Sequence, residues 1–130
     1  MSTIETVAII DDDDIYQFAA EKMIKSTKLV KKIHIFSDGQ EAIDFFSIHL
    51  ARPENLPDII FLDLNMPVID GWQFLEQFAF MKPKIAKNIT IYIVTSSMNP
   101  DDLIDARRLA DVSDYIVKPI TTERFLETLK

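Results

Sequence analysis

Four consecutive aspartates, Asp11, Asp12, Asp13 and Asp14, follow an apolar run at residues 7–10. Asp63 follows another at 59–62, Thr95, Ser96 and Ser97 follow a third at 91–94, and Lys118 follows a fourth at 115–117. If those run ends meet, they bring together three carboxylates, hydroxyls and one ammonium. Carboxylates converging on one point repel and raise one another's pKa unless a cation relieves them. An all-oxygen ligand set with room for water suits Mg²⁺, which takes one or two protein carboxylates and keeps its other positions for water and phosphate oxygens. A lysine and a threonine beside such a metal match the needs of phosphoryl transfer. The cations neutralise the equatorial oxygens and the hydroxyl donates one hydrogen bond. The nucleophile would then be a carboxylate, giving an acyl phosphate. Its place on a central strand favours Asp63, with Asp11 and Asp12 holding the metal.

The elements that must position these residues can be read from the period of the apolar pattern. Short runs at 7–10, 33–36, 59–62, 91–94 and 115–117 are rich in Ile and Val and mostly do not alternate, as strands buried on both faces of a parallel sheet read. Between them the spacing becomes helical. Ile15, Phe18, Ala19 and Met23 form one stripe, Ala42, Phe45, Phe46 and Leu50 a second, and Gly71, Phe74, Leu75 and Phe78 a third. Leu103, Ala106 and Ala110 are weaker, and Phe125, Leu126 and Leu129 close the chain. Asn99-Pro100-Asp101-Asp102 reads as a helix start, and Gly39 and Gly71, each after an aspartate, as turns. Strand and helix alternating five times imply an α/β parallel sheet with helices on both faces. Ligands in such sheets bind outside the carboxyl ends of the strands, where the run ends lie.

Composition narrows the function. A chain of 130 residues fits one domain. No apolar run approaches a membrane span, and residues 1–5 do not resemble a signal peptide. There is no cysteine, which excludes disulfides, thiolate catalysis and Cys-based zinc sites. A net charge of −7 disfavours direct binding to nucleic acid. A cytoplasmic location is expected.

The segments Ala8-Ile-Ile-Asp-Asp-Asp-Asp14, Asp58-Ile-Ile-Phe-Leu-Asp-Leu-Asn-Met-Pro-Val-Ile-Asp-Gly71, Ile93-Val-Thr-Ser-Ser97 and Asp114-Tyr-Ile-Val-Lys-Pro119 resemble the conserved blocks of two-component response-regulator receiver domains. The resemblance covers essentially the whole chain, with four motifs in order. It implies a flavodoxin-like doubly wound (βα)5 sandwich with a five-stranded parallel sheet of order 2-1-3-4-5. It implies Asp63 as phosphoacceptor, with Asp12, Asp63 and the Asn65 backbone carbonyl on Mg²⁺ and Asp11 acting mainly through metal-bound water. Thr95 would bond the phosphoryl group. Lys118 would pair with it, before a proline whose peptide is cis in the family. Tyr115 matches the aromatic that turns inward when the threonine closes on phosphate, although it could equally be a core-edge residue. By the same resemblance, Ser97 and Asn65 would occupy positions that tune phosphoryl lifetime in the family. The implied partners are a sensor histidine kinase or histidine phosphotransfer protein, and an output protein docking on the fourth helix, fifth strand and fifth helix.

Three departures stand beside the resemblance. Val112-Ser113-Asp114 replaces the frequent Gly-Ala, Ser97-Met98-Asn99-Pro100 makes its own entry to the fourth helix, and no effector domain is expected within residues 1–130. The expectation is a receiver over residues 1–130 that acts as a switch rather than a turnover enzyme. A haloacid-dehalogenase-like phosphatase would place an acid two residues after the nucleophile, where this chain has Asn65. A non-phosphorylated pseudo-receiver is disfavoured by the complete residue set, and a nucleotide-binding flavodoxin-like module by the lack of a Gly-rich loop after the first strand. Asp13 and Asp14 read as helix N-terminal acids, His34 and His49 as structural, and Trp72 as a helix-face residue.

Overall fold

The computed structural model describes residues 4–96, 99–109 and 111–130. Its elements run β1 (Ile4–Ile10), α1 (Asp14–Thr27), β2 (Val30–Phe36), α2 (Gly39–Ile48), β3 (Ile59–Leu62), α3 (Gly71–Met81), β4 (Thr90–Thr95), α4 (Pro100–Arg107), β5 (Val112–Val117) and α5 (Thr122–Leu129). All strand pairs are parallel and the sheet order is β2-β1-β3-β4-β5, the expected flavodoxin-like topology. Ser97, Met98 and Ala110, which the sequence reading used, lie outside the described residues.

Alternate strand residues point to opposite faces, so the sheet sorts its own core into two layers. Ala8, Ile10, Ile60, Leu62, Ile91 and Ile93 meet α2, α3 and α4 through Phe46, Phe74, Phe78 and Ala106. Val7, Ile9, Ile59, Phe61, Val94 and Ile116 meet α1 and α5 through Ala20, Ile24, Phe125 and Leu129. Burial on both faces holds for the three central strands β1, β3 and β4. It does not hold for β2 and β5, the sheet edges, where Lys31, Lys32, Ser113 and Asp114 are exposed. Charged and polar residues on those strands blunt edges that would otherwise invite pairing with another chain.

The third stripe is as read: Gly71, Phe74, Leu75 and Phe78 are all buried. The first is out of phase. Ile15 is 82% exposed and Phe18 63%, while α1 buries Ala20 and Ile24 and half-buries Tyr16 and Met23. The cause is the cap. Asp13 accepts from the N–H groups of Ile15 and Tyr16, and this start turns the face one residue further on towards the sheet. In the second stripe Ala42 and Phe46 are buried, but α2 ends at Ile48, so Leu50 lies beyond it and His49 is its C-cap. Asn99 caps α4 as expected, accepting from the Asp101 N–H at 2.9 Å, with Pro100 first in the helix.

Gly39 and Gly71 begin helices rather than turns, capped by Asp38 and Asp70. Positive φ falls instead on Lys28, at the end of α1, and on Val68, at φ 70°. The left-handed region is costly for a β-branched side chain, and Val68 is 74% exposed, so no packing repays it. Val68→Gly should raise stability by about 1 kcal/mol in urea unfolding; a loss would show that the loop is not strained there.

The amino end of the sheet, away from the run-end residues, has its own polar tie. The Asp58 carboxylate accepts from the Thr6 N–H at 3.1 Å and pairs with Lys87 at 2.8 Å. Lys87 also donates to the carbonyls of Pro53 and Leu56. His34 on β2 packs edge-on to Phe36 and Phe45. Burial holds its imidazole below the usual histidine range, with Lys32 and His49 adding to the effect, as befits a structural histidine.

Candidate phosphoacceptor site

β1 and β3 are neighbours in register, Ile10 opposite Leu62, so the residues that follow them emerge side by side. The Asp63 N–H donates to the Ile10 carbonyl at 2.9 Å and extends the ladder to the nucleophile candidate itself. Carboxylate oxygens of Asp11, Asp12 and Asp63 all lie within 4.8 Å of one another. Asp11 and Asp63 are buried and Asp12 is exposed. β4 and β5 supply the opposite charge. Thr95 ends β4 fully buried, and its carbonyl accepts from the Lys118 N–H at 2.9 Å. The Lys118–Pro119 peptide is cis. The Lys118 ammonium lies 2.7 Å from Asp11 and 3.8 Å from Asp63.

One ammonium among three carboxylates leaves a negative surplus. Burial pushes the Asp11 carboxyl above its usual range and Asp63 adds to this, against the hydrogen bonds from Lys118 and the Asp13 N–H. Hard oxygen donors with an unmet charge of this size fit a divalent cation such as Mg²⁺, and the exposed Asp12 leaves the site open to water. Asn65 is exposed on the loop after β3, and its N–H reaches an Asp63 carboxylate oxygen at 3.5 Å. Asp13 and Asp14 stand apart as cap and first residue of α1, the helix-acid role expected for them. Ser96 is exposed.

Tyr115 is half-buried against the α2–α4 core layer. The residue before it, where the sequence departs from Gly-Ala, makes an edge tie: Asp114 pairs with Arg124 of α5 at 2.6 Å and accepts from the Tyr115 N–H. Trp72 lies on α3, half-buried. Two neighbours of the acids escaped the sequence reading. Gln17 donates to the Asp11 carbonyl at 2.5 Å, and the Lys118 ammonium sits 4.1 Å from the centre of the Tyr16 ring. Phasing α1 from its Asp13 cap would have placed Tyr16 on this face.

Residues 7–130 match the response regulator receiver domain family. The chain belongs to that family. The receiver is 31% identical to the protein PilG of Pseudomonas aeruginosa over 126 residues, covering 95% of this chain and 84% of PilG. A crystal structure of a two-component response regulator from Cytophaga hutchinsonii superposes at a TM-score of 0.87 with 31% identity, covering 98% of this chain and 94% of that one. The response regulator Rcp1 of Synechocystis is 28% identical over 116 residues, covering 88% of the receiver and 76% of Rcp1. The receiver spans about half the length of several other curated relatives that it matches. Among its described residues no helix is long and apolar enough to cross a membrane.

Proposed function

We propose that this receiver is a phosphorylation-operated switch of a His-to-Asp relay, with Asp63 as its Mg²⁺-dependent phosphoacceptor. The observation that carries this reading is the meeting of the Asp11, Asp12 and Asp63 carboxylates with Lys118 at the carboxyl end of the sheet. An Asp63 oxygen attacks the phosphorus of a phosphohistidine on a sensor kinase or phosphotransfer protein. The P–N bond breaks, a mixed carboxylic–phosphoric anhydride forms, and the imidazole leaves to take up a proton. Acetyl phosphate can stand in for the protein donor.

Asp12, Asp63 and the Asn65 carbonyl would hold Mg²⁺ directly and Asp11 through water. When bound, the ion supplies positive charge to phosphoryl oxygens. Lys118 turns from Asp11 towards the new group on Asp63, and Thr95 donates its hydroxyl. A structure of Rcp1 in its Mn²⁺-bound form shares this fold at a TM-score of 0.73 and 23% identity, which agrees with a divalent cation here. Tyr115 packs inward as Thr95 closes, shifting a two-state equilibrium. Ile104 at 49% and Val117 at 41% exposure, on α4 and β5, supply apolar area for an output partner on the α4–β5–α5 face. The receiver is a switch and not a turnover enzyme, works in the cytoplasm, and binds no nucleic acid itself.

Intact-mass measurement with acetyl phosphate tests the reading. A single phosphoryl adduct should appear with Mg²⁺, vanish when the metal is chelated, and be absent from Asp63→Asn. Failure to accept either a phosphoryl group or beryllofluoride in the presence of Mg²⁺ would overturn it.

A further inference from the structure

Lysine carries its charge on a flexible four-carbon stem, so an ammonium that must meet a transferred phosphoryl group needs something to hold it. Here two of its neighbours are the carboxylates of Asp11 and Asp63. The third contact is the face of the Tyr16 ring, 4.1 Å from the ammonium to the ring centre. Tyr16 reaches the site because Asp13 sets the phase of α1, turning Tyr16, Ala20 and Ile24 inward while Ile15 and Phe18 face solvent.

We propose that Tyr16 is a positioning residue for phosphoryl transfer, acting through Lys118 by offering its ring face as a seat for the ammonium. The proposal rests on the phosphoacceptor reading of Asp63. A recess of about 350 Å³ opens beside the lysine, lined by Tyr16, Ala20, Met23 and Pro119 among others. Lys118 lines the recess as well, and the ring face is the attraction that holds its ammonium on the side of the carboxylates. Its role would grow with a divalent cation bound, since Asp11 would then be shared with metal-bound water while the electron-rich ring face would stay with Lys118.

The Tyr16 hydroxyl is buried and has no hydrogen-bond partner among the described residues. Burial, with Asp11 and Asp63 adding to it, pushes its pKa up, so it stays a neutral phenol. An unbonded hydroxyl does not anchor the ring; α1 does. The quadrupole of the ring is therefore the active feature. An aliphatic side chain of similar bulk fills the space without it.

The test is the rate of phosphorylation by acetyl phosphate at fixed Mg²⁺ in a double-mutant cycle. Tyr16→Leu should slow the reaction roughly tenfold, the range of a desolvated cation–π contact. Tyr16→Phe should restore the wild-type rate, with a melting temperature equal or higher. Mg²⁺ affinity by calorimetry should stay within about twofold in Tyr16→Leu and Tyr16→Phe. In a Lys118→Ala background, Tyr16→Leu should add no further loss, because the lysine through which it acts is gone. The proposal is overturned if Tyr16→Leu reacts as fast as wild type, if its loss persists without Lys118, or if Tyr16→Phe is as slow as Tyr16→Leu. Absence of any adduct, wild type included, would instead overturn the phosphoacceptor reading and this proposal with it.

Discussion

Lys118→Ala should slow Mg²⁺-dependent phosphorylation of Asp63 by at least about 100-fold, the usual effect of removing one preorganised donor to a developing oxyanion. Its ammonium lies 2.7 Å from Asp11 and 3.8 Å from Asp63, so it is the group on hand when phosphoryl charge arrives. The same change should cost stability in cation-free buffer. Asp11 is 1% exposed and would be left beside Asp63 with no ammonium. Breaking a fully buried pair costs 3–5 kcal/mol; with 17% of the Lys118 side chain still exposed, about 2 kcal/mol is the better figure. Mg²⁺ should raise the variant's stability in turn, since a ligand at 100 times its Kd stabilises by about 2.7 kcal/mol.

The pH dependence of that deficit follows from the raised pKa of Asp11. Its folded value lies above the unfolded one, so the folded state holds the proton more tightly. The penalty is absent below the unfolded value of 3.8 and grows as pH rises through the folded value. Removing Lys118 takes away two influences that lower the Asp11 pKa and so widens the window. Urea unfolding of the variant across pH 3.5 to 7, with and without Mg²⁺, checks all of this. A variant as fast as wild type would show that Lys118 does not reach the phosphoryl group.

The site residues were legible for a topological reason. Asp11, Asp63 and Lys118 each sit one step past a strand and Thr95 ends one, and parallel strands deliver all such positions to one end of the sheet. The α1 face was not. Its 14 residues contain two overlapping apolar solutions, one starting at Ile15 and one at Tyr16. Period alone does not choose between them; the Asp13 cap does, and Tyr16 was missed for the same reason. Edge strands were misread because a run such as 33–36 in β2 looks like a central strand until its neighbours are known. The Asp114–Arg124 tie joins β5 to the next helix and the Lys87 contacts join residues distant in sequence, and no local pattern announces either.

Gly71 gives the sharpest case of a residue whose type is explained only by space. Its φ is not positive, so conformational freedom is not the reason for glycine. It is the first residue of α3, where alanine would otherwise be tolerated or favoured. A Cβ built there would lie 2.5 Å from the Asp63 carbonyl oxygen and 2.8 Å from the Leu64 Cα. Both are backbone atoms of the strand end that carries Asp63, and they cannot swing aside. Gly71 also donates its N–H to the Leu64 carbonyl at 2.9 Å, so helix and strand end are already drawn together. Gly71→Ala should therefore cost about 3 kcal/mol in urea unfolding and slow phosphorylation as well, because relief of the clash must move Asp63. Gly39→Ala is the matched control. Its new Cβ would meet Cγ1 of Ile69 at 2.7 Å and the Ile69 carbonyl oxygen at 3.3 Å, atoms outside the strand end, so a loss of about 2 kcal/mol with little change in phosphorylation is expected. Equal losses in the two variants would mean that the α3 start is not what holds the strand end. A Gly71→Ala protein as stable as wild type would mean that the helix moves off at no cost, and the phosphorylation rate would then report how far Asp63 follows it.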